Sequence, residues 1–529
     1  MTQTTNRVPV SKKLVSINAL SALIAHACNF AILLWGNQYL LSHVSPAEMD
    51  LLPVVMGVVA FSPLMTTALT AGLGRYVVEA YSQSDDEKIT RLVSSIVPVY
   101  LLVAMVLVAI MTVFCTLAPK LLNVASDHIA DVRFMLVIVF LGMTLRLLAT
   151  PFSVGLYVCQ KQVLQNVILM GGALISAASM LWLMLGIGPQ VKWFIVAQFA
   201  GTVFNVMATL IVSCRLLPSL RFRVDWIDFG SLKGMFAFNS WTLVRQTSAS
   251  VRAGSIPFLL NAFAAPGQAT AFYIGSLPDR QIKEVSSKIF SPLETPMIAM
   301  FATGNQTGLA NAYLRGNRLM LWISMLAATP LMVFASETID LYTHGTIPDA
   351  ALVLFITMLI LPIQMANGML GPLVHAHARP DALAKTMAVT DFITLLVSGV
   401  LLLSTGLGAK AVVIAIAVGI VIFHPLLWWK LGRTLAEVTF TKWAWESLIP
   451  GMVPALACGS VLICLKWTMS PSSWFELGTM TFMGMIVYFV AIERSLRPAD
   501  RTDLKNVFTR LLPSLQHDKK LDTVVTKPQ

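Results

Sequence analysis

Arg245 and Arg252 stand seven residues apart in a stretch otherwise apolar enough to cross a bilayer. On a helix they point the same way, and Thr242, Ser248 and Ser255 extend a polar stripe beside them. An arginine at the bilayer centre costs at least about 2.5 kcal/mol, so such residues face a bundle interior or a water-filled cavity. The alternative is that both snorkel to opposite interfaces or bond to neighbouring helices. Downstream, Asp279-Arg280-Gln281-Ile282-Lys283-Glu284 through Lys288 to Glu294 is the most polar stretch inside any apolar run. Asp279 with Lys283, Arg280 with Glu284, and Glu284 with Lys288 are each four apart and can pair, while Ile282, Val285 and Ile289 share another face. This segment is either a cavity-lining helix or a surface helix on the membrane plane. Arg146, ahead of Pro151 and Gly155, is a third candidate for a cavity wall, or else an ion at a packing interface. Asp391 and Glu284 are the candidate coupling residues; Asp391 can take a proton, pair with a cation, or simply be a polar residue near a helix start. Six cations, Arg146, Arg245, Arg252, Arg280, Lys283 and Lys288, thus fall within membrane segments. In a low dielectric they favour anions, and the guanidinium fork suits phosphate oxygens.

Other chemistries lack their residues. There is no P-loop, no HExxH, no GxSxG and no acidic pair in a long aqueous loop, so no enzyme and no cofactor is implied, and transport would be passive or coupled to an ion or potential. His375-Ala376-His377 has the wrong spacing for two ligands on one helix face and no accompanying acid or thiol, so no metal is expected. The six cysteines are scattered along apolar segments. A net charge of +11 might suggest nucleic acid, but the basic residues sit at the ends of apolar runs rather than on one polar face, so nucleic acid is not an expected partner.

The elements that must position these side chains are membrane helices. Of 529 residues, 56% are hydrophobic and only 12% charged, about half the charge of a soluble domain. The first apolar run follows Arg7, Lys12 and Lys13 and contains Ala25-His26-Ala27, which resembles a cleavage site, but it continues to Leu41 and is taken as a helix. About fourteen helices are expected, starting near residues 16, 51, 93, 133, 163, 193, 236, 268, 318, 350, 384, 410, 446 and 474. Placing both termini inside sorts the basic residues: 26 fall in inner loops and 5 in outer ones, Lys120, Arg133, Lys192, Lys410 and Lys466. The most basic internal connection, Arg215 to Lys233, divides the helices into an N-terminal lobe over 1–214 and a C-terminal lobe over 235–434, with a linker over 215–234. Two more helices occupy 435–493, and a basic tail covers 494–529. Two six-helix repeats imply a site near their interface.

Gly72-Leu73-Gly74-Arg75-Tyr76, Arg91-Leu92-Val93-Ser94-Ser95, Phe238-Asn239-Ser240-Trp241-Thr242-Leu243, Ser291-Pro292-Leu293 with Pro296, and Tyr313-Leu314-Arg315-Gly316-Asn317-Arg318 resemble the multidrug/oligosaccharidyl-lipid/polysaccharide flippase superfamily, in its polysaccharide branch. The likeness covers nearly the whole chain. It implies an all-α, polytopic protein of the bacterial inner membrane, with two lobes in a V, both termini cytoplasmic, and an undecaprenyl-pyrophosphate-linked oligosaccharide as substrate and membrane lipid as surroundings. Other polysaccharide-assembly proteins are expected partners. The chain departs from peptidoglycan-precursor flippases in having Asn18, His26 and Asn29, and no arginine, in its first helix. That favours a sugar repeat unit. The same helix has no acid, which weakens the alternative of a cation or drug antiporter, and the short outer loops weaken that of a membrane polymerase or glycosyltransferase.

Overall fold

The computed structural model describes residues 12–496, except 125, 229 and 231; the side chains of 12–16, 18–19, 65–72, 75, 119–121, 232–239 and 292 are outside that description. Most of the basic tail, and the side chains of Asn18, Arg75, Lys120 and Asn239, therefore lie outside the described residues. The chain begins with α1 (Lys12–His43), then α2 (Pro46–Met49), α3 (Leu51–Val59), α4 (Ser62–Ser82), α5 (Asp86–Leu121), α6 (Ile129–Ser153), α7 (Gly155–Val158), α8 (Gln162–Gly186) and α9 (Val191–Leu216). After a connection come α10 (Leu232–Phe263), α11 (Gln268–Gly275), α12 (Leu277–Phe290), α13 (Glu294–Ala302), α14 (Gln306–Val333), α15 (Ala335–Thr343), α16 (Asp349–Met365), α17 (Leu370–Ala376), α18 (Pro380–Thr405) and α19 (Ala409–Phe423). A π-helical turn, His424–Trp428, leads into α20 (Trp429–Leu435), and α21 (Phe440–Trp443), α22 (Ile449–Thr468) and α23 (Trp474–Ser495) complete the chain.

Eleven described helices are long and apolar enough to cross a bilayer, or twelve if α14 and α15, bent by 76°, count as one span. The expected fourteen included two more stretches, α10 and α11–α13, which carry Arg245, Arg252, Arg280, Lys283 and Lys288. These two stretches hold five of the six cations and are the more polar for it.

Breaks have local causes. Proline inside a helix removes a backbone donor and clashes one turn back; Pro330 and Pro362 precede the α15 bend and the α16–α17 break, and Pro425 lies within the π turn. The broken segment after α16 is held by side chains of α14. Tyr313 donates to Asn367 Oδ1 at 2.5 Å, and Met369 N donates to Asn317 Oδ1 at 2.9 Å. Arg318, counted above with the inner loops, is instead buried on α14 and donates to the Glu446 carbonyl at 2.6 Å. Its charge is thus spent tying the last helices to the C-terminal lobe.

The connection between lobes docks on α5: Thr90 donates to the Ser219 carbonyl at 2.8 Å, and the amides of Arg223 and Asp228 donate to Ser94 and Ser95 at 2.9 and 2.8 Å. At the opposite end the lobes join directly. Asp50 accepts from the Gly267 amide, from Thr270 N at 2.8 Å and from Thr270 Oγ1 at 2.6 Å; Asn123 N donates to Asn261 Oδ1 at 3.0 Å; and Tyr342 donates to the Leu34 carbonyl at 2.7 Å. Gly57 and Gly254 bring α3 and α10 so close that a Cβ on either would stand 2.9 Å from the other's carbonyl oxygen, the close approach that small residues permit between membrane helices. Three of the five basic residues assigned to outer loops are neutralised by acids, Lys192 by Asp131 at 2.9 Å, Lys410 by Asp349 at 2.8 Å and Lys466 by Glu337 at 2.8 Å.

Candidate functional site

Two large cavities lie on either side of α12. The first, about 490 Å³, is walled by α1, α3, α6, α8 and α9, and includes His26, Asn29, Arg146, Gln198, Thr202 and Lys288. The second, about 590 Å³, lies within the C-terminal lobe and includes Arg252, Lys283, Gln364, Asp391, His424 and Trp428. Helical spacing on α12 divides the polar residues between them: Gln281, Glu284 and Lys288 face the first cavity, Lys283, Ser287 and Phe290 the second. A third face packs inward, where Ile282 and Ile289 meet the core and Ser286 lies 3.4 Å from Ser324.

The six cations fall into two groups. Three have a carboxylate. Arg252 Nε stands 2.8 Å from Asp391 Oδ1 across α10 and α18, Lys283 is 2.7 Å from Asp279, and Lys288 is 2.8 Å from Glu284. Among the described residues the other three have none. Arg146 donates to Thr202 Oγ1 at 2.9 Å and lines the first cavity. Arg280 turns from Glu284 and donates to the Tyr273 carbonyl at 3.0 Å, its guanidinium 4.8 Å from the Tyr273 ring centre. Arg245 is half-buried on α10, two turns from Arg252, and borders neither cavity. The six therefore do not line one shared chamber: Arg146 and Lys288 border one cavity, Arg252 and Lys283 the other.

The lobes meet again at His26, whose Nδ1 is 3.0 Å from Lys288 Nζ and 3.5 Å from Glu284. Accepting from a lysine requires a neutral imidazole with its proton on Nε2, and that nitrogen has no partner among the described residues. Asn29, also on the wall, donates to the Ala25 carbonyl at 3.2 Å. The two histidines after α16 act separately: His375 is 2.8 Å from Glu294, and His377 lies 2.9 Å from the Leu373 carbonyl and against Phe301. Sequence reasoning passed over Thr202, Gln364, His424 and Trp428. Only His424-Pro425 carried a signal, an imidazole and a proline in an otherwise apolar run.

No model of a known protein family matches the chain. An uncharacterized membrane protein, EpsK of Bacillus subtilis (strain 168), is 21% identical over 355 residues, covering 66% of this chain and 70% of that protein. Among solved structures, a multidrug resistance MATE family transporter of the MOP superfamily, in an inward-facing conformation, superposes with a TM-score of 0.64 at 13% identity, over 79% of this chain and 98% of its own. The lipid II flippase MurJ, in an inward closed conformation, gives 0.64 at 11% identity, over 94% and 99%. A MOP superfamily transporter from Pyrococcus furiosus Vc1 gives 0.59 at 13% identity, over 83% and 98%. The fold is that of the MOP transporters. α12 lies between the two cavities and contributes side chains to both. Of the motif residues, Ser94 and Ser95 hold the connection that follows α9, Tyr313 and Asn317 hold the broken segment after α16, and Arg318 ties α14 to the last helices.

Proposed function

We propose that the protein is a flippase that carries an undecaprenyl-pyrophosphate-linked polysaccharide repeat unit from the cytoplasmic to the outer leaflet of a bacterial inner membrane by alternating access. The observation that carries this reading is the charge on the first cavity wall. Arg146 borders it with no carboxylate in reach among the described residues, whereas the acids on the two cavity walls, Glu284, Asp391 and Glu294, are held by Lys288, Arg252 and His375. A guanidinium without a counter-ion in a partly desolvated site attracts an oxyanion and repels an organic cation. Thr202 fixes its direction, and Lys288 and the His26 ring supply further donors across the same space. The prenyl chain stays in lipid while the charged and sugar portions cross inside, the termini face the cytoplasm, and other polysaccharide-assembly proteins supply and take the substrate.

The test is translocation of a fluorescent lipid-linked oligosaccharide by proteoliposomes. Arg146→Ala should lower the initial rate by about ten- to hundredfold, the worth of roughly 1.5–3 kcal/mol for hydrogen bonds to a charged group, and Arg146→Lys should restore part of it. Full activity of Arg146→Ala would reject the reading. Drug accumulation unchanged by the wild-type protein, alongside flipping, would set aside cation antiport.

A further inference from the structure

The second cavity is built differently from the first, and its wall holds an imbalance of donors. Besides Arg252, which is paired with Asp391, four polar side-chain atoms on it have no hydrogen-bond partner among the described residues: Gln364 Nε2, Trp428 Nε1, His424 Nδ1 and Asp391 Oδ2. The first two carry protons, the imidazole can, and Asp391 alone must accept. A buried donor without a partner costs about 1–3 kcal/mol, so several around one space point to an acceptor-rich ligand. The wall is also held in place. The π turn sets the His424 and Trp428 rings in a stack 5.0 Å apart and 7° from parallel, and Asn367 donates to the Trp428 carbonyl at 2.7 Å. Such a turn re-aims side chains within a helix and recurs at functional sites.

The charged groups facing Asp391 come from every neighbouring element. Arg252 approaches from α10, Lys283 from α12 with Asp279 behind it, Glu294 from α13 with His375 of α17, and His424 from the π turn. On the cavity wall the cations Arg252 and Lys283 stand against the carboxylates Glu294 and Asp391. An entering anion would leave an excess negative charge in a low dielectric, and one proton removes it. The Arg252–Asp391 contact suits exchange, since Nε sits 2.8 Å from Oδ1 but is not aligned as a hydrogen bond.

We propose that the C-terminal cavity is an anion site for a phosphate- or carboxylate-class group, in which the anion replaces Asp391 on Arg252 and Asp391 takes up one proton. The proton goes onto the displaced carboxylate, whose free oxygen then becomes a donor toward the cavity. The O–H bond formed on Asp391 is matched by the one broken in the buffer acid or hydronium that gives up the proton, and no other covalent bond changes. Anion and proton load together, so each tightens the binding of the other by the same factor. The site stands apart from whatever the first cavity carries.

The test uses the full chain in nanodiscs without lipid-linked substrate, titrated with sulfate, an oxyanion that does not itself titrate near neutrality. Calorimetry in buffers of different ionisation enthalpy should show about one proton taken up per sulfate, and affinity should fall by about tenfold per pH unit on the alkaline side. Asp391→Asn should bind at high pH as tightly as the wild type at low pH, with no proton uptake. Arg252→Gln should lose at least tenfold in affinity, with Arg252→Lys between. Wild-type binding without proton uptake overturns the proposal whether or not the variants fold; so does uptake that survives Asp391→Asn and vanishes in His424→Gln, or undiminished affinity in Arg252→Gln. Competition by a prenyl pyrophosphate identifies a lipid headgroup as the anion, and its failure to compete identifies a free one. Because flipping is not measured, failure here and failure of the flippase reading are separate results.

Discussion

The two cavities are of similar size, about 490 and 590 Å³, share α12 as a wall, and are both lined by an arginine, yet their electrostatics differ. Among the described residues Arg146 in the first meets the Thr202 hydroxyl, whereas Arg252 in the second meets the Asp391 carboxylate. A hydroxyl orients a guanidinium without cancelling its charge, and a carboxylate cancels it. On the two proposals above, one cavity attracts an anion outright and the other only when its own acid gives way.

The sharpest way to break the contrast is to give the first cavity what the second has. Thr202→Asp sets a carboxylate near the Arg146 guanidinium, whose present contact is 2.9 Å. Proteoliposome flipping should fall by about ten- to hundredfold, as for removal of the arginine, because a paired guanidinium no longer offers its charge to phosphate. Thermal stability should hold or rise, separating lost binding from lost fold. A fully active Thr202→Asp would mean that the free charge of Arg146 is not what the substrate meets.

The second cavity yields to the opposite treatment. Asp391→Leu strands Arg252, and Arg252→Met strands Asp391, whereas the double substitution strands neither. Breaking one partner of a fully buried pair costs about 3–5 kcal/mol, but Arg252 is 39% exposed and solvent screens part of that. Each single variant should lose roughly 1–3 kcal/mol and the double less than either. Denaturation midpoints followed by gel filtration give the cycle; additive losses would show the pair to be uncoupled.

Weakening the end where the lobes meet should change which side either cavity faces. Asp50 accepts from Gly267 and Thr270 and so holds the start of α11 against the first lobe. Asp50→Asn keeps the shape but loses the charge that strengthens these bonds, at a cost of about 1–2 kcal/mol. A cysteine at Asn261 should then label roughly fivefold or more faster with an impermeant maleimide, by linkage to the opened state. Unchanged labelling would place the closure elsewhere, at Tyr342 and Leu34.

What the sequence reveals about this site depends on how local each contact is. The apolar runs and the basic loops between them lead to an all-helical membrane fold, because lipid constrains each span separately. On α12, Asp279–Lys283 and Glu284–Lys288 were legible for the same reason: four residues along a helix fix the neighbour. Arg280–Glu284 has that spacing too, but the Tyr273 carbonyl and ring, a tertiary arrangement, capture the guanidinium. Arg252 and Asp391 were each noticed, yet nothing in a single chain pairs residues so far apart. The π turn at His424 is held by Asn367 from the break after α16, and the split of cations between two cavities depends on where α12 sits.

The smallest effect tests whether any ion pair in this fold matters, or only those inside. Lys466 reaches Glu337 at 2.8 Å and the Val333 carbonyl at 2.8 Å, joining α22 to the bend between α14 and α15. The pair is partly exposed, and such pairs are worth about 0–1 kcal/mol, because water competes for both groups and two long side chains lose rotamer freedom. Lys466→Ala should thus shift thermal stability by less than about 1 kcal/mol and leave flipping within about twofold. A loss as large as that of Asp391→Leu would mean that burial does not rank the charges here. The contrast between the cavities would then need a basis other than solvent access.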